Sequence, residues 1–286
     1  MPRFDVLKSL SHIQQHKITR LTVVPAMANA IANYPQARSF NLSSVRRITA
    51  AGSPLGLSAR KSLESLWATG DIVIEEAVGS TETAMVAAWG REPPVPSSTG
   101  FLAPNVEARI VSLPEGHDSD PDKAQSLPRN QSGELWIRGP SIMNGYWRNP
   151  AATAACITPD GWYRSGDIAY FDERGRLFIV GRKKELIKVM GGQISPSELE
   201  MVLLDHKGVL DAAVVGVKVD ENDERPRAYV VLRPESQVPL TEEGVLEWMK
   251  TRVAPYKQIT GGVVFVDAIP KNPVRYTSLW FVIDLC

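Results

Sequence analysis

Three short stretches of this 286-residue chain combine residue types suited to holding a phosphorylated or carboxylate-bearing ligand. The first is VGSTETA, residues 78–84. A strand that ends in glycine and hydroxyl residues lets backbone and side chains approach a phosphate, and the carboxylate of Glu82 can hold Mg²⁺ beside it. Hydroxyl residues after a strand are also ordinary turn formers. The second is YRSGDIAYFDERGRLFIVGR, residues 163–182. Asp167 follows a glycine at a sharp turn, where a carboxylate can accept both hydroxyls of a ribose, and Arg182 offers a fixed fork of donors to the same sugar or to a phosphate. An Asx-type turn and a surface arginine would read the same way. The third is KKELIKVMGGQISPSELE, residues 183–200, with Lys184 and Lys188 ahead of Gly191, Gly192 and Gln193. Glycines permit a tight turn and close backbone approach, and a lysine is a point charge suited to phosphate or carboxylate. Lysines on a solvated face are the plain alternative.

The elements around these stretches change character along the chain. Val6, Leu10 and Ile13 recur at helical spacing behind Asp5 as N-cap, LTVV (21–24) reads as a buried strand, and Pro25 opens another helix. RRITAAG (46–52), a helix over 58–67 and DIVIEEA (71–77) continue the alternation, which implies βαβ units and a mainly parallel sheet. NVEARIV, GELWIRG and RLFIVGR are short strands separated by turns such as DERG, the pattern of an antiparallel, barrel-like portion. The polar, proline-rich stretch 113–131 reads as a surface loop. Past Arg182 the pattern resets. Ser195 to Glu198 read as a capping box with proline at the first helical position, followed by an apolar stripe through Leu199, Val202 and Leu203. VLDAAVVGV, AYVVLRP, a helix over 241–253 and VVFV complete a small α+β domain. The boundary is expected near residues 181–184, giving domains 1–181 and 182–273 and an atypical tail, 274–286.

Composition narrows the function classes. Thirty-two lysines and arginines balance 32 aspartates and glutamates, so no basic field argues for nucleic acid. Cys156 and Cys286 are too few for a disulfide framework or a thiolate metal site, which fits a reducing compartment. The four histidines lack ligand spacing, and the tryptophans read as core residues rather than as a nucleic-acid stacking platform. The N-terminus does not read as a secretory signal, the tail carries no peroxisomal signal, and no apolar run approaches the roughly 20 residues of a membrane span. A cytoplasmic location is the expectation.

The order of the motifs, with GELWIRGPSIMNGYW (133–147) between the first two, resembles the adenylate-forming superfamily, and within it the acyl- and aryl-CoA ligases similar to 4-coumarate–CoA ligase. The resemblance runs from about Phe4 to Pro273. It implies an α/β protein: the C-terminal part of the large AMP-binding domain, with its parallel sheet and barrel-like portion, followed by a small mobile domain. It also implies a reaction in which a small carboxylic acid is adenylated by ATP with Mg²⁺ and the acyl group passes to the thiol of CoA. Carried over by position, Gly52, Ser53 and Pro54, with Glu76, Ala77, Val78, Gly79, Ser80 and Thr81, line the adenine and α-phosphate. Thr81 is then the phosphate contact and Glu82 the Mg²⁺ ligand. Asp167 and Arg182 match the ribose contacts, with Gln193 also at the nucleotide. Lys184 matches the hinge. Lys188, Gly191 and Gly192 match residues that meet the adenylate or CoA, and Ala51, Val78, Gly79 and Met85 line the acid pocket.

Two departures accompany the resemblance. Family members carry, upstream of this region, a hydroxyl- and glycine-rich loop ending in lysine that cradles the β- and γ-phosphates, and these 286 residues start after it. After the proline–lysine turn IPKNP the family continues with Ser-Gly-Lys, whereas Val274, Arg275 and Tyr276 stand here. A tyrosine cannot replace an ammonium facing a carboxylate and a phosphate, and the rigid fork of Arg275 is one position early. The expectation is therefore a ligase-like protein impaired in adenylation as this chain, with no catalytic residue retained at position 276 and any partner supplying the N-terminal half unidentified. A non-catalytic relic that binds AMP, an acyl group or a partner is the alternative. A peptide-synthetase adenylation module is disfavoured by the lysine at the hinge. Residues 274–286 are expected to contribute nothing to fold or site.

Overall fold

Local chemistry starts the first elements. Asp5, in extended backbone, accepts the Lys8 N–H at 2.8 Å and opens α1 (Val6–His16), whose buried positions are Leu10 and Ile13. Pro25 stands in the first turn of α2 (Pro25–Ala32), where its missing N–H costs no helical bond. β1 (Arg20–Val23), β2 (Arg47–Ala51) and β3 (Val73–Ser80) pair in parallel, and α3 (Leu57–Glu64) lies between β2 and β3 in sequence. Leu10, Ile48, Leu63 and Ile74 share one core with these helices. LTVV departs from the expected buried strand: only Val23 is buried, because β1 ends the sheet and, among the described residues, has a strand neighbour on one side only. The structure is a computed structural model that describes residues 4–67, 72–90, 92–112, 124–220, 223–233 and 240–270.

From β3 onward the sheet grows by antiparallel pairing. β4 (Ala84–Ala88), β5 (Ser98–Leu102), β6 (Glu107–Val111), β7 (Gly133–Arg138), β8 (Tyr163–Phe171) and β9 (Leu177–Arg182) complete nine strands in the order β1-β2-β3-β4-β5-β9-β8-β7-β6. The barrel-like portion is thus an open run of one sheet ending at β6, not a closed barrel. Alternation along β7 divides its faces. Leu135 and Ile137 join Ile110 and Leu177 in a core. On the opposite face Trp136 and Trp162 interleave with Arg109, Arg138 and Arg164, whose guanidinium carbons lie 4.4–5.3 Å from the ring centroids. Both rings are buried, Trp136 3% and Trp162 8% exposed. The described end of the 113–131 stretch is not a free loop: Ser112 N–H bonds the Gln125 carbonyl and Leu127 N–H bonds that of Ile110, extending the edge of β6.

The chain divides into two compact units, Met1–Ile179 and Val180–Cys286. α4 (Pro150–Cys156) belongs to the first. The second contains the hairpin β10 (Ile187–Val189) and β11 (Gly192–Ile194), then α5 (Pro196–Leu204) and α6 (Glu242–Lys250) with the sheet β12 (Val209–Lys218), β13 (Glu224–Leu232) and β14 (Val263–Phe265). Val214, Ala228 and Val230 pack with Leu199, Leu203, Val245 and Met249, while Ala213, Val215, Tyr229 and Val231 face Ile269 on the other side. The expected capping box is replaced by another arrangement. Ser195 is the N-cap of α5 and Pro196 follows it, but the Ser195 hydroxyl donates to the Val180 carbonyl at 2.7 Å, and the Glu198 carboxylate takes Lys257 Nζ at 2.7 Å. A long-range partner outcompetes the local cap. Tyr276 and the tail 274–286 lie outside the described residues.

Candidate functional site

Register builds the first part of the site. Ala50 pairs with Glu76 and Ala51 with Ala77, so the C-terminal ends of parallel β2 and β3 stand side by side. Ligands of α/β sheets bind beyond such ends. The turn Gly52-Ser53-Pro54 therefore sits next to Val78, Gly79, Ser80 and Thr81, with Gly52 and Ser53 exposed. Glu76 takes a different place from its neighbours. It is 4% exposed; one carboxylate oxygen accepts the Leu55 N–H at 3.0 Å and the other the Ser97 N–H at 3.1 Å. Burial pushes its carboxyl above the usual carboxylate range, against those two hydrogen bonds and Arg60. Its oxygens are spent on backbone, so Glu76 braces the turn from beneath instead of facing a ligand.

The hydroxyls of GSTET divide into two roles. Thr83 is buried, accepts the Ser80 N–H at 3.1 Å and lies 3.1 Å from the Ser80 hydroxyl, closing the turn between β3 and β4. Thr81 is left exposed at its tip. Glu82 is half-buried and accepts the Tyr146 phenol proton at 2.9 Å, while its carbonyl accepts the Met143 N–H at 2.8 Å. That bond from the phenol to the carboxylate is the largest cause raising the Tyr146 phenol above its ordinary value. Tyr146 is fixed in turn from α4, whose Thr153 hydroxyl accepts its N–H at 2.9 Å. Residues expected to meet the acid also assemble here: Gly79 pairs with Met85, which is 54% exposed, Val78 packs on the core below, and Ala51 adjoins Ala77. An open groove of about 570 Å³ runs along Tyr146, Trp147, Asn149 and Thr153, and Glu82, Ala51 and Met85 are not among its lining residues.

Asp167 is not in a turn. It lies within β8, where the register with β7 slips between Glu134 and Trp136 and Gly166 takes a φ of 70°. This is a β-bulge, a device that re-aims a side chain. Ser165 fills the gap: its hydroxyl donates to the Leu135 carbonyl at 2.8 Å and accepts the Asp167 N–H at 3.0 Å.

In the second unit, Arg182 ends β9 and Lys184 sits in the 3₁₀ turn Lys183–Glu185, both exposed. The glycine stretch forms the β10–β11 hairpin, in which Lys188 faces Gln193 across the strands and Met190-Gly191 make the turn, at φ 49° and 80°. Both central residues at positive φ define the type I′ geometry suited to a two-residue hairpin. Lys188, Gly191 and Gln193 are exposed and Gly192 is half-buried. Among the described residues no cluster of three or more histidines, cysteines or carboxylates is arranged to hold a metal.

Comparison with known proteins gives the family. The model of the AMP-binding enzyme family matches residues 1–147, and that of the AMP-binding enzyme C-terminal domain matches residues 198–274. The chain belongs to the AMP-binding enzyme family. Among its relatives, 4-coumarate–CoA ligase 1 of Glycine max is 39% identical over 96% of this chain and 91% of the relative. The 4-coumarate–CoA ligase 2 of Nicotiana tabacum is 40% identical over 96% of this chain and 49% of its own length. Apart from the soybean protein, the chain spans about half the length of the curated relatives it matches. ATP-bound MatB from Rhodopseudomonas palustris superposes with a TM-score of 0.86 at 27% identity, over all of this chain and 54% of MatB. Amide bond synthetase McbA from Marinactinospora thermotolerans gives 0.84 at 28%, over 99% and 55%.

Within this AMP-binding family member, the structure brings together Ala51 to Pro54, Val78 to Glu82 and Met85, while Asp167 lies on β8 of the same unit, four strands from β3 in the sheet order. Arg182, Lys184, Lys188, Gly191, Gly192 and Gln193 belong to the other unit. Sequence reasoning missed Tyr146, Thr83 and Ser165. Each sits inside a stretch already picked out by its motif, and a half-buried carboxylate such as Glu82 needs a donor, which is the signal that would have prompted a search for one.

Proposed function

We propose that this chain is acid–CoA ligase-like: its first unit holds the nucleotide part of an acyl-adenylate and its second, a small mobile domain turning about Lys184, supplies contacts for transfer to CoA. The observation that carries the reading is the corner where Ala51–Pro54 and Val78–Thr81 meet, with exposed Thr81 and braced Glu82 at its lip. Gly52, Ser53 and Pro54 with Ala77 to Ser80 would face the adenine, Thr81 the α-phosphate, and Asp167 the ribose hydroxyls. In adenylation the carboxylate oxygen of the acid attacks the α-phosphorus of ATP and pyrophosphate leaves. Preorganised donors at the developing charge are what the Thr81 turn offers. In transfer the CoA sulfur displaces AMP from the acyl carbon, and Arg182, Lys188, Gly191, Gly192 and Gln193 are the residues assigned to that side.

The donor set fits Mg²⁺ carried in with a nucleotide: one half-buried carboxylate, Glu82, and no second acid in a metal-binding cluster among the described residues. That is the way Mg²⁺ is held when phosphates provide the remaining ligands. Bound there, the ion would neutralise phosphate charge. Thr81 would orient the α-phosphate, and Tyr146 would keep the Glu82 carboxylate aimed.

Adenylation by the 286-residue polypeptide itself is expected to be weak, since Tyr276 stands where the resemblance calls for lysine. Acid-dependent pyrophosphate exchange with a panel of aromatic and medium-chain acids tests this, and robust exchange would overturn it. The residue at 276 also favours a second reading, a protein that binds AMP or an acyl group without turnover. Thioester formation from synthetic 4-coumaroyl-adenylate and CoA, lost in Lys188→Ala, supports retained transfer; its absence in the parent favours the second reading.

A further inference from the structure

The hairpin that carries Lys188, Gly191, Gly192 and Gln193 has an edge problem. In a two-stranded ladder, alternate N–H groups point outward and need another partner. Here Val189 and Gly192 flank the turn, which leaves the Lys188 and Met190 N–H groups without a cross-strand acceptor. Two consecutive carboxylates from the start of β13 take them. Glu224 Oε2 accepts the Lys188 N–H at 2.9 Å, and Asp223 Oδ1 accepts the Met190 N–H at 2.7 Å. The place for the Glu224 carboxylate exists because residue 216 on β12 is glycine: a Cβ there would stand 2.6 Å from Oε2. Met190 needs the help most. Its φ of 49° is a left-handed conformation that a residue with a long side chain adopts at a cost, and it is 88% exposed, so packing does not hold it.

From this geometry we infer that Asp223 and Glu224 are positioning residues for CoA transfer: they clamp the β10–β11 hairpin in the shape that presents the Lys188 ammonium and the glycine turn to the ligand. The inference rests on the transfer role given above to the hairpin. An eight-residue hairpin with an exposed tip is marginal in water alone, and charge-assisted hydrogen bonds to backbone are about twice as strong as neutral ones. Two such bonds on adjacent outward amides fix both the strand and the turn. Neither carboxylate needs to touch substrate, so losing one should lower turnover through the population of the correctly shaped hairpin and leave the acyl-adenylate corner of the first unit unaffected.

The test uses the full chain and two readouts on Asp223→Ala, Glu224→Ala and the conservative Asp223→Asn and Glu224→Gln. Amide hydrogen exchange is followed at Lys188 and Met190, with Val214 and Tyr229 as controls for the unit's fold. Thioester formation is followed from synthetic 4-coumaroyl-adenylate and CoA. The expected result is exchange at least tenfold faster at Met190 in Asp223→Ala and at Lys188 in Glu224→Ala, with the controls unchanged. The same variants should lose five- to fiftyfold in kcat for transfer, with the KM for the adenylate little changed and the amide variants keeping most of the rate. Unchanged exchange at both amides would show that the clamp is not there. Faster exchange with an unchanged transfer rate would show that the clamp does not serve transfer. A parent chain that binds the adenylate but makes no thioester, even with the expected exchange pattern, removes the transfer reading and this role with it.

Discussion

In the proposed reading, the corner of the first unit and the hairpin of the second both present short polar segments to a ligand, with different amounts of protein behind them. At the corner, the turn after β2 and the turn after β3 extend from adjacent strands of a nine-stranded sheet, and a buried carboxylate, Glu76, ties Leu55 and Ser97 together from below. The hairpin rests on a three-stranded sheet, and two acids at the start of β13 take its outward amides. The corner is built to hold still, whereas the hairpin is held by a few bonds that can be removed one at a time.

The comparison breaks first at Glu76. Glu76→Ala leaves the Leu55 and Ser97 N–H groups without their acceptors, one of them in a fully buried setting, and should cost roughly 2 kcal/mol or more in urea unfolding. A loss within error would remove Glu76 as a brace. The raised carboxyl gives the sign of its pH dependence. The native state holds this proton more tightly than the unfolded chain, so the associated stability is full below the ordinary value of 4.5 and is lost as pH rises through the higher native value. Relative to Glu76→Gln, the parent should therefore gain stability on going from pH 7 toward pH 5.

A smaller effect is expected at Ser165. Ser165→Ala removes one hydroxyl that serves both Leu135 and Asp167 at the bulge. It should cost about 1 kcal/mol in the same measurement. Because the bulge aims Asp167, AMP affinity should fall further than stability does. Equal losses in both would reduce Ser165 to a packing role. The smallest effect has the opposite sign. Met190→Gly relieves a left-handed methionine, and despite the added freedom of the unfolded chain it should raise the melting temperature slightly, by about 0.5 kcal/mol or less in free energy. A clear drop would mean that the exposed Met190 side chain makes stabilising contacts.

What the sequence could tell followed the range over which each residue acts. Asp5 and Pro25 act within one helical turn, and the helix starts they mark were legible from spacing alone. The alternation of elements and the DERG hairpin were legible for the same reason, and the ordered series of motifs carried the family. Ser195 shows where local rules fail. Its neighbours spell a capping box, yet its hydroxyl reaches Val180, 15 residues earlier. Tyr146 reaches Glu82 across 64 residues, and Asp223 and Glu224 reach the hairpin across 33 and 36. Partnerships of that length depend on which strands become neighbours, and no periodicity records it. The barrel-like portion is a related case: strand periodicity describes each strand's faces and says nothing of whether the first and last strands meet.

The central claim is that the corner at the ends of β2 and β3, with Asp167 from β8, binds the nucleotide part of an acyl-adenylate. The most direct measurement is calorimetric titration of 4-coumaroyl-adenylate into the parent chain and Asp167→Ala, with melting temperatures recorded for both. The account predicts saturable binding to the parent, weakened at least tenfold by the substitution while the melting temperature stays within a degree or two. No saturable binding to a folded parent, or equal binding to both proteins, would contradict it.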